Sequence, residues 1–313
     1  MNLADCASRA GQYRPGHLYY LDVKKILKKF RDKFLSHLLM TLEGPLLGSV
    51  QLQQRMLEGR YRDLVRTKQL LPKIEEAEFR VFSQNGEDGI ITLLMAAIGN
   101  HSRKFLEIGV QSGLECNSAH LAKNCSWDGW MIEGDAKLAK LAQEHYDNHP
   151  CTWTRDIRVI SAFVTRENIN SIIKEHQIPE NIDLLSIDID GNDLWIWKEI
   201  NVIKPRLVII EYNASFGPDL SVTIPYKSEF VIEGAYHGAS LRALVKVGKQ
   251  KGYRFIGCNS TGVNAFFVRN DLAAECLPEL SIDEGYRQHT YRNRRGSYEG
   301  LLRDLTSREL VEI

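Results

Sequence analysis

Five short apolar runs recur between residues 104 and 212, and helix-like segments separate them. The runs are "KFLEIGV" (104–110), "GWMIEGD" (129–135), "IRVISAFV" (157–164), "IDLLSID" (182–188) and "RLVIIEY" (206–212). Segments such as "AKLAKLAQEHY" and "RENINSIIKEHQ" lie between them, with apolar residues at helical spacing. Strands that are apolar at successive positions must bury both faces, which a parallel sheet covered by helices on each side provides. After a last helical stretch, "SLRALVKVGKQKG", come "YRFIGCN" and "NAFFVRN", joined by "STGV". That short link predicts an antiparallel hairpin. The expected architecture is α/β: a doubly wound, mostly parallel seven-stranded sheet with a terminal antiparallel hairpin.

Residues 1–78 read differently, as a helical extension for packing or oligomerisation, with the α/β domain spanning 79–313. Within residues 18–40, Leu21, Ile26, Leu27, Phe30, Phe34, Leu38 and Leu39 recur at three- and four-residue steps, and lysines fill the intervening positions. Such a helix packs on its own domain or a sister subunit, which predicts a homo-oligomer, or rests peripherally on anionic lipid. A second helical stretch, "SVQLQQRMLEGRYRDLVRTKQLL", ends near Pro72. Residues 1–78 hold 14 basic and 9 acidic side chains, so the domain that follows is net acidic although the whole chain balances 40 against 40. That balance argues against nucleic acid as a partner. Six cysteines are scattered with no C-x-x-C pair, which predicts reduced thiols rather than disulfides or zinc. The N-terminal residues lack an apolar signal core, and no apolar run reaches about 18 residues, so a cytoplasmic protein without a transmembrane segment is expected.

In open α/β sheets ligands bind beyond the carboxyl ends of the strands, near the point where strand order reverses. The first strand delivers "FLEIGVQSGLECNS" to that edge. Gly109 and Gly113 permit a sharp turn and a close backbone approach to a ligand. The dinucleotide fingerprint G-x-G-x-x-G is absent. The loop instead resembles the acidic-x-G-x-x-x-G loop of S-adenosylmethionine enzymes, with Glu107 as the acid and Gln111, Ser112 and Asn117 beside the glycines. The second strand ends at Glu133, placed to accept hydrogen bonds from a ribose diol, with Asp135 as the neighbouring alternative. Ser161 and Ala162, after the third strand, are positioned to face an adenine. Upstream, in "FSQNGEDGII" (82–91), Ser83, Asn85 and Gly86 cap a helix whose amides would hold a ligand carboxylate, with Ser83 and Gln84 at that end.

The densest charge lies in "IDIDGND" (187–193). Asp188 and Asp190 are two apart, so in an extended strand they share a face. The next strand ends in "IIEYN" and brings Glu211 and Asn213 alongside. Asp188, Asp190, Glu211 and Asn213 form a hard-oxygen set suited to Mg²⁺ or another divalent metal, which would lower the pKa of a substrate hydroxyl. The same acids also suit a cationic donor, a sugar hydroxyl, or the cap of the helix beginning at Asp193. His237, in the Gly-punctuated "IEGAYHGASL", is the candidate general base, although a solvated loop histidine is the other reading. Tyr212, Tyr226, Tyr236 and Trp195 lie near this edge and would stack on sugar faces or pack in the core. The basic segment "YRQHTYRNRRGSY" (286–298) is a solvated surface helix or a phosphate contact.

Together "EIGVQSG", "IDIDGND" and "IIEYN" resemble the FkbM family of S-adenosylmethionine-dependent methyltransferases, over roughly residues 80–270. The sheet closed by a hairpin likewise resembles the class I, Rossmann-like methyltransferases. Glu107, Gly109 and Gly113 match the family's first motif, with Gln111 where Asn is usual. Asp188 and Gly191 match the second, with Asp190 and Asp193 in place of glutamates, and Glu211 matches the third. The resemblance implies an O-methyltransferase acting on a sugar, glycan or glycosylated natural product, with Asp188 at both cofactor and catalytic positions. Two other readings remain: a Rossmann-type enzyme using a nucleotide sugar or NAD, and a catalytically silent methyltransferase-like binding protein.

Overall fold

The structure, a computed structural model, describes residues 48–273, 275–290 and 297–313. The amphipathic stretch 18–40, with its expected lipid or subunit contacts, and residues 291–296 of the basic segment lie outside the described residues. The chain divides into two compact units, Met1–Leu52 and Gln53–Ile313. The described residues of the first, 48–52, are helical. The second unit opens with α1 (53–66) and a 3₁₀ turn (Ile74–Ala77). Tyr61, Leu71, Ile74 and Ala77 from this region are buried in the same cluster as α2 (Glu87–Ile98).

The sheet then builds as β1 (Lys104–Ile108), α3 (Ala119–Asn124), β2 (Asp128–Glu133), α4 (Ala136–Asn148), β3 (Ile157–Ser161), α5 (Ile169–Glu175), β4 (Leu184–Ile187), α6 (Asp193–Glu199) and β5 (Leu207–Glu211). A short β6 (Val222–Thr223), α7 (Leu241–Gln250), β7 (Tyr253–Cys258) and β8 (Asn264–Arg269) follow. The chain continues through α8 (Ile282–Gly285), α9 (Tyr298–Thr306) and β9 (Val311–Glu312), which pairs with β6. The seven-stranded sheet has the order β3-β2-β1-β4-β5-β8-β7. β1 to β5 are parallel, while β8 runs antiparallel to both β5 and β7. The expected α/β sheet with its terminal hairpin is therefore the observed one.

Alternation along each strand divides the core between the two faces. Leu106, Ile108, Leu185, Ile187, Val208 and Ile210 join one cluster, and Phe105, Leu184, Leu207 and Ile209 the other. Because both faces are covered, the central strands β1, β4 and β5 are mostly apolar and buried, with few polar exceptions. Glu107 on β1 and Ser186 on β4 are such exceptions, and both lie near the carboxyl edge. Order reverses between β1 and β4, so the crevice falls beyond their carboxyl ends. Cys116, Cys125, Cys151, Cys258 and Cys276 are free thiols. Among the described residues, no helix is long and apolar enough to cross a membrane.

At the opposite edge, fully buried Asp183 fixes the entry to β1. Its carboxylate accepts hydrogen bonds from the backbone N–H groups of His101 (2.8 Å), Ser102 (2.8 Å) and Arg103 (2.6 Å). Arg206 lies 3.6 Å away and donates to the Gly99 carbonyl. Removing the carboxylate deprives three backbone N–H groups and the Ser102 hydroxyl of their acceptor. Asp183→Ala should cost about 3 kcal/mol of unfolding free energy, read from urea titrations; a loss within error of zero would contradict this role.

Candidate ligand cavity and its acidic wall

Gly109, just past β1, sets the geometry of the crevice. It adopts φ +88°, and a Cβ there would lie 1.7 Å from the Asp188 carbonyl oxygen. The backbones leaving β1 and β4 thus approach so closely there that only glycine fits. Gln111 is also left-handed, at φ 49°, and its N–H donates to the Glu133 carboxylate at 2.6 Å. The other Glu133 oxygen accepts the Asp135 N–H at 2.9 Å. Gly113 has a packing role, since an added Cβ would press on Ala142 and Tyr146 of α4 at 3.0 Å. Tyr146 donates to the Gly113 carbonyl and clamps the loop to α4.

Glu107 holds the same loop from below. It is 4% exposed and accepts the N–H groups of Asn117 and Ser118, both at 2.8 Å, and the Ser118 hydroxyl. Burial raises its pKa, and those hydrogen bonds pull it back down. Asn117 in turn donates to the Ser186 hydroxyl on β4 at 3.1 Å. Asp135 is the N-cap of α4, accepting from the N–H groups of Lys137 and Leu138, so Glu133 is the β2 carboxylate tied to the glycine loop.

These elements surround a cavity of about 700 Å³. Gln84, Glu107, Gly109, Gln111, Asn117, Glu133, Asp135, Ala162, Asp188, Asp190 and Glu211 all line it. Ser83, Ser112, Gly113, Ser161, Asn213 and His237 are set back from its wall. Two N–H groups of the helix start that was expected to hold a carboxylate, those of Asp88 and Gly89, are already engaged within the protein. Asp88 accepts the N–H groups of Val81, Phe82 and Ser83, Ser83 Oγ accepts the Asp88 N–H, and Glu87 accepts that of Asn85. Asn213 departs from the expected metal set for a similar reason. Its Oδ1 caps the turn at Ser215, and its Nδ2 donates to the Ala235 and His237 carbonyls. His237 is fully buried, with Nδ1 3.8 Å from Glu211 Oε2, so it stands behind the carboxylate instead of facing the cavity.

The expected aromatic neighbours also differ. Tyr212 and Tyr236 are buried core residues, and Trp195 donates to the Ile224 carbonyl. The aromatic rings lining the cavity are those of Phe163, 56% exposed, and Phe230, which lies against Gly191. His289, from the basic segment, lines the wall as well. The signal for Phe163 is an aromatic residue two positions past the end of β3. No local pattern marks Phe230 or His289, which arrive through tertiary packing.

One carboxylate oxygen from each of Asp188, Asp190 and Glu211 lies within 4.8 Å of the others. Burial, followed by Asp193, Asp190 and Glu107, holds the Asp188 pKa well above the usual carboxylate range. Asp193 fastens the turn by accepting the N–H groups of Ile189 (2.8 Å) and Gly191 (2.9 Å). Burial pushes its pKa up to about 6 against the pull of those bonds.

No known protein family matches the sequence, and no curated protein matches it. Solved structures do resemble the fold. The O-methyltransferase from Bacillus cereus in complex with SAH is 16% identical, at TM-score 0.41, over 67% of this chain and 91% of that one. The N-terminal domain of EvdMO1 with SAH bound is 12% identical, at TM-score 0.40, over 68% and 94%. Magnesium protoporphyrin IX methyltransferase (ChlM) from Synechocystis PCC 6803 with bound SAM is 12% identical, at TM-score 0.39, over 58% and 77%. At such values the functional reading rests on the cavity's own residues.

The acidic turn carries a pH signature. A carboxyl whose folded pKa exceeds its unfolded value of 3.8 binds more protons in the folded state between those two values. Stability contributed by Asp193 is therefore greatest at low pH and declines as pH rises through about 6. Urea titrations of wild type and Asp193→Asn across pH 4 to 7 isolate this contribution. The stability of wild type relative to the variant should fall with rising pH and then level off; a relative gain would contradict the assignment.

Proposed function

We propose that the chain is an S-adenosylmethionine-dependent O-methyltransferase of the FkbM type, with a hydroxyl of a sugar, glycan or glycosylated small molecule as acceptor. The observation that carries this reading is the Glu133 carboxylate at the end of β2, hydrogen-bonded to the left-handed Gln111 amide across the crevice from Gly109. It supports a seat for a ribose diol on Glu133, with the donor's chain running past Gly109 toward Asp188. Ala162 and Phe163 line the side where an adenine would stack.

In this reading the acceptor oxygen attacks the methyl carbon in line with sulfur. The carbon–sulfur bond breaks, its electron pair returns to sulfur, and S-adenosylhomocysteine leaves. The hydroxyl proton passes to a carboxylate. Asp188 suits that role, because burial and neighbouring acids raise its proton affinity well above that of an ordinary carboxylate. His237 sits against Glu211 and acts on that side chain's position and charge. Alignment of oxygen, carbon and sulfur within the cavity supplies the larger share of the acceleration.

Asp188, Asp190 and Glu211 also have the donor chemistry for a divalent ion such as Mg²⁺, which when bound would lower the pKa of the acceptor hydroxyl. Glu133→Ala should weaken S-adenosylhomocysteine binding about thirtyfold in calorimetry, because a charged acceptor of two hydrogen bonds is lost. A circular-dichroism melt run alongside shows whether the fold persists. An affinity equal to wild type would remove Glu133 from the cofactor site.

A further inference from the structure

Past its sulfonium, the donor assigned to the crevice ends in an α-amino acid, with one ammonium and one carboxylate. The cavity wall offers carboxylates to the ammonium but, among the described residues, no lysine or arginine to the carboxylate. Backbone amides at the start of α2 are a poor substitute. The N–H groups of Asn85, Asp88 and Gly89 there are engaged within the protein.

A guanidinium stands one contact behind the wall. Glu115, in the loop from β1 to α3, lines the cavity, and its Oε1 accepts a hydrogen bond from Arg80 Nη2 at 3.0 Å. Its Oε2 accepts one from Nε2 of Gln84, a second wall residue, at 3.4 Å. The Arg80 and Glu115 side chains are 57% and 54% exposed, and an ion pair so open to water separates at little cost. The bond to Glu115 is the guanidinium's only one among the described residues, so most of its five N–H donors are uncommitted.

A second observation concerns the backbone that carries these side chains. Fully buried Asp88 gathers the N–H groups of Val81, Phe82 and Ser83 on one oxygen, at 2.7, 2.7 and 3.0 Å. The Phe79 carbonyl accepts the Gly89 N–H at 3.2 Å. Residues 79–84 are thus bent round a buried carboxylate, which presents Arg80 and Gln84 to the same glutamate. This frame holds without the exposed ion pair, so Arg80 can change partner by side-chain rotation alone.

Building on the S-adenosylmethionine reading, we propose that Arg80, Glu115 and Gln84 bind the amino-acid end of the donor. The Arg80 guanidinium takes the carboxylate in a two-pronged hydrogen bond, and Glu115 with Gln84 Oε1 takes the ammonium. The pair carries no net charge, and neither does the group it receives. A zwitterion therefore meets an opposite charge at both ends, whereas a lone anion or cation is attracted by one partner and repelled by the other. Without ligand the two side chains satisfy each other.

Calorimetry on the full chain tests this with two probes. S-adenosylhomocysteine carries the amino acid; 5′-methylthioadenosine keeps the nucleoside and thioether but lacks it. Wild type should bind S-adenosylhomocysteine at least about tenfold more tightly than 5′-methylthioadenosine. Arg80→Gln should weaken S-adenosylhomocysteine about tenfold and leave 5′-methylthioadenosine unchanged, which also shows that the variant is folded. Unaltered S-adenosylhomocysteine affinity in Arg80→Gln, equal losses for both probes, or equal affinities in wild type would overturn the proposal and leave the methyltransferase reading standing. Failure of wild type to bind S-adenosylhomocysteine removes that reading, and this proposal with it.

Discussion

The contact between Gly109 and the Asp188 carbonyl is the constraint on which the site depends. Two parallel strands at the reversal point send their chains in different directions, and the backbones part only after a close approach at Gly109. A side chain at residue 109 would meet the Asp188 oxygen at 1.7 Å, so the approach closes only around a hydrogen atom. Once it is closed, Gln111 is carried into a left-handed turn that reaches Glu133, and Asp188 is fixed at the cavity wall. Holding a residue other than glycine at φ 49° costs about 1 kcal/mol, which the charged hydrogen bond to Glu133 offsets.

Charge is the second organising term. The carboxylates of this edge fall into two groups by what they touch. Asp88, Glu107, Asp135 and Asp193 accept backbone N–H groups and pin loops or helix starts in place. Asp188, Asp190 and Glu211 are brought together without a lysine or arginine in the cavity wall. The first group builds the cavity, and the second makes its β4–β5 end acidic. Burial and the acids near Asp188 raise its proton affinity, so this crowding carries a folding cost.

The fold was legible because burial on both faces left an unmistakable pattern. Apolar strands of four to six residues, separated by helical spacing, allow few architectures, and "STGV" marked the hairpin. Residues at strand ends could also be placed, since Gly109, Glu133, Asp188 and Glu211 inherit their positions from the sheet. Loop residues could not. Ser83 and Asn213 looked like ligand contacts because small polar residues near a strand or helix end suit both capping and binding. In the structure the backbone claims them first. His237 follows a segment that runs against the acidic turn, yet its ring is buried behind Glu211. Phe230 and His289 reach the wall from segments distant in sequence, and only packing reveals them.

The central claim is that the crevice beside Gly109, floored by Glu107 and Glu133, is an S-adenosylmethionine site. Mass spectrometry of the small molecules released on denaturing the freshly purified protein tests it most directly. The account predicts S-adenosylmethionine or S-adenosylhomocysteine in the released fraction. Release of NAD or a nucleotide sugar in its place would contradict it.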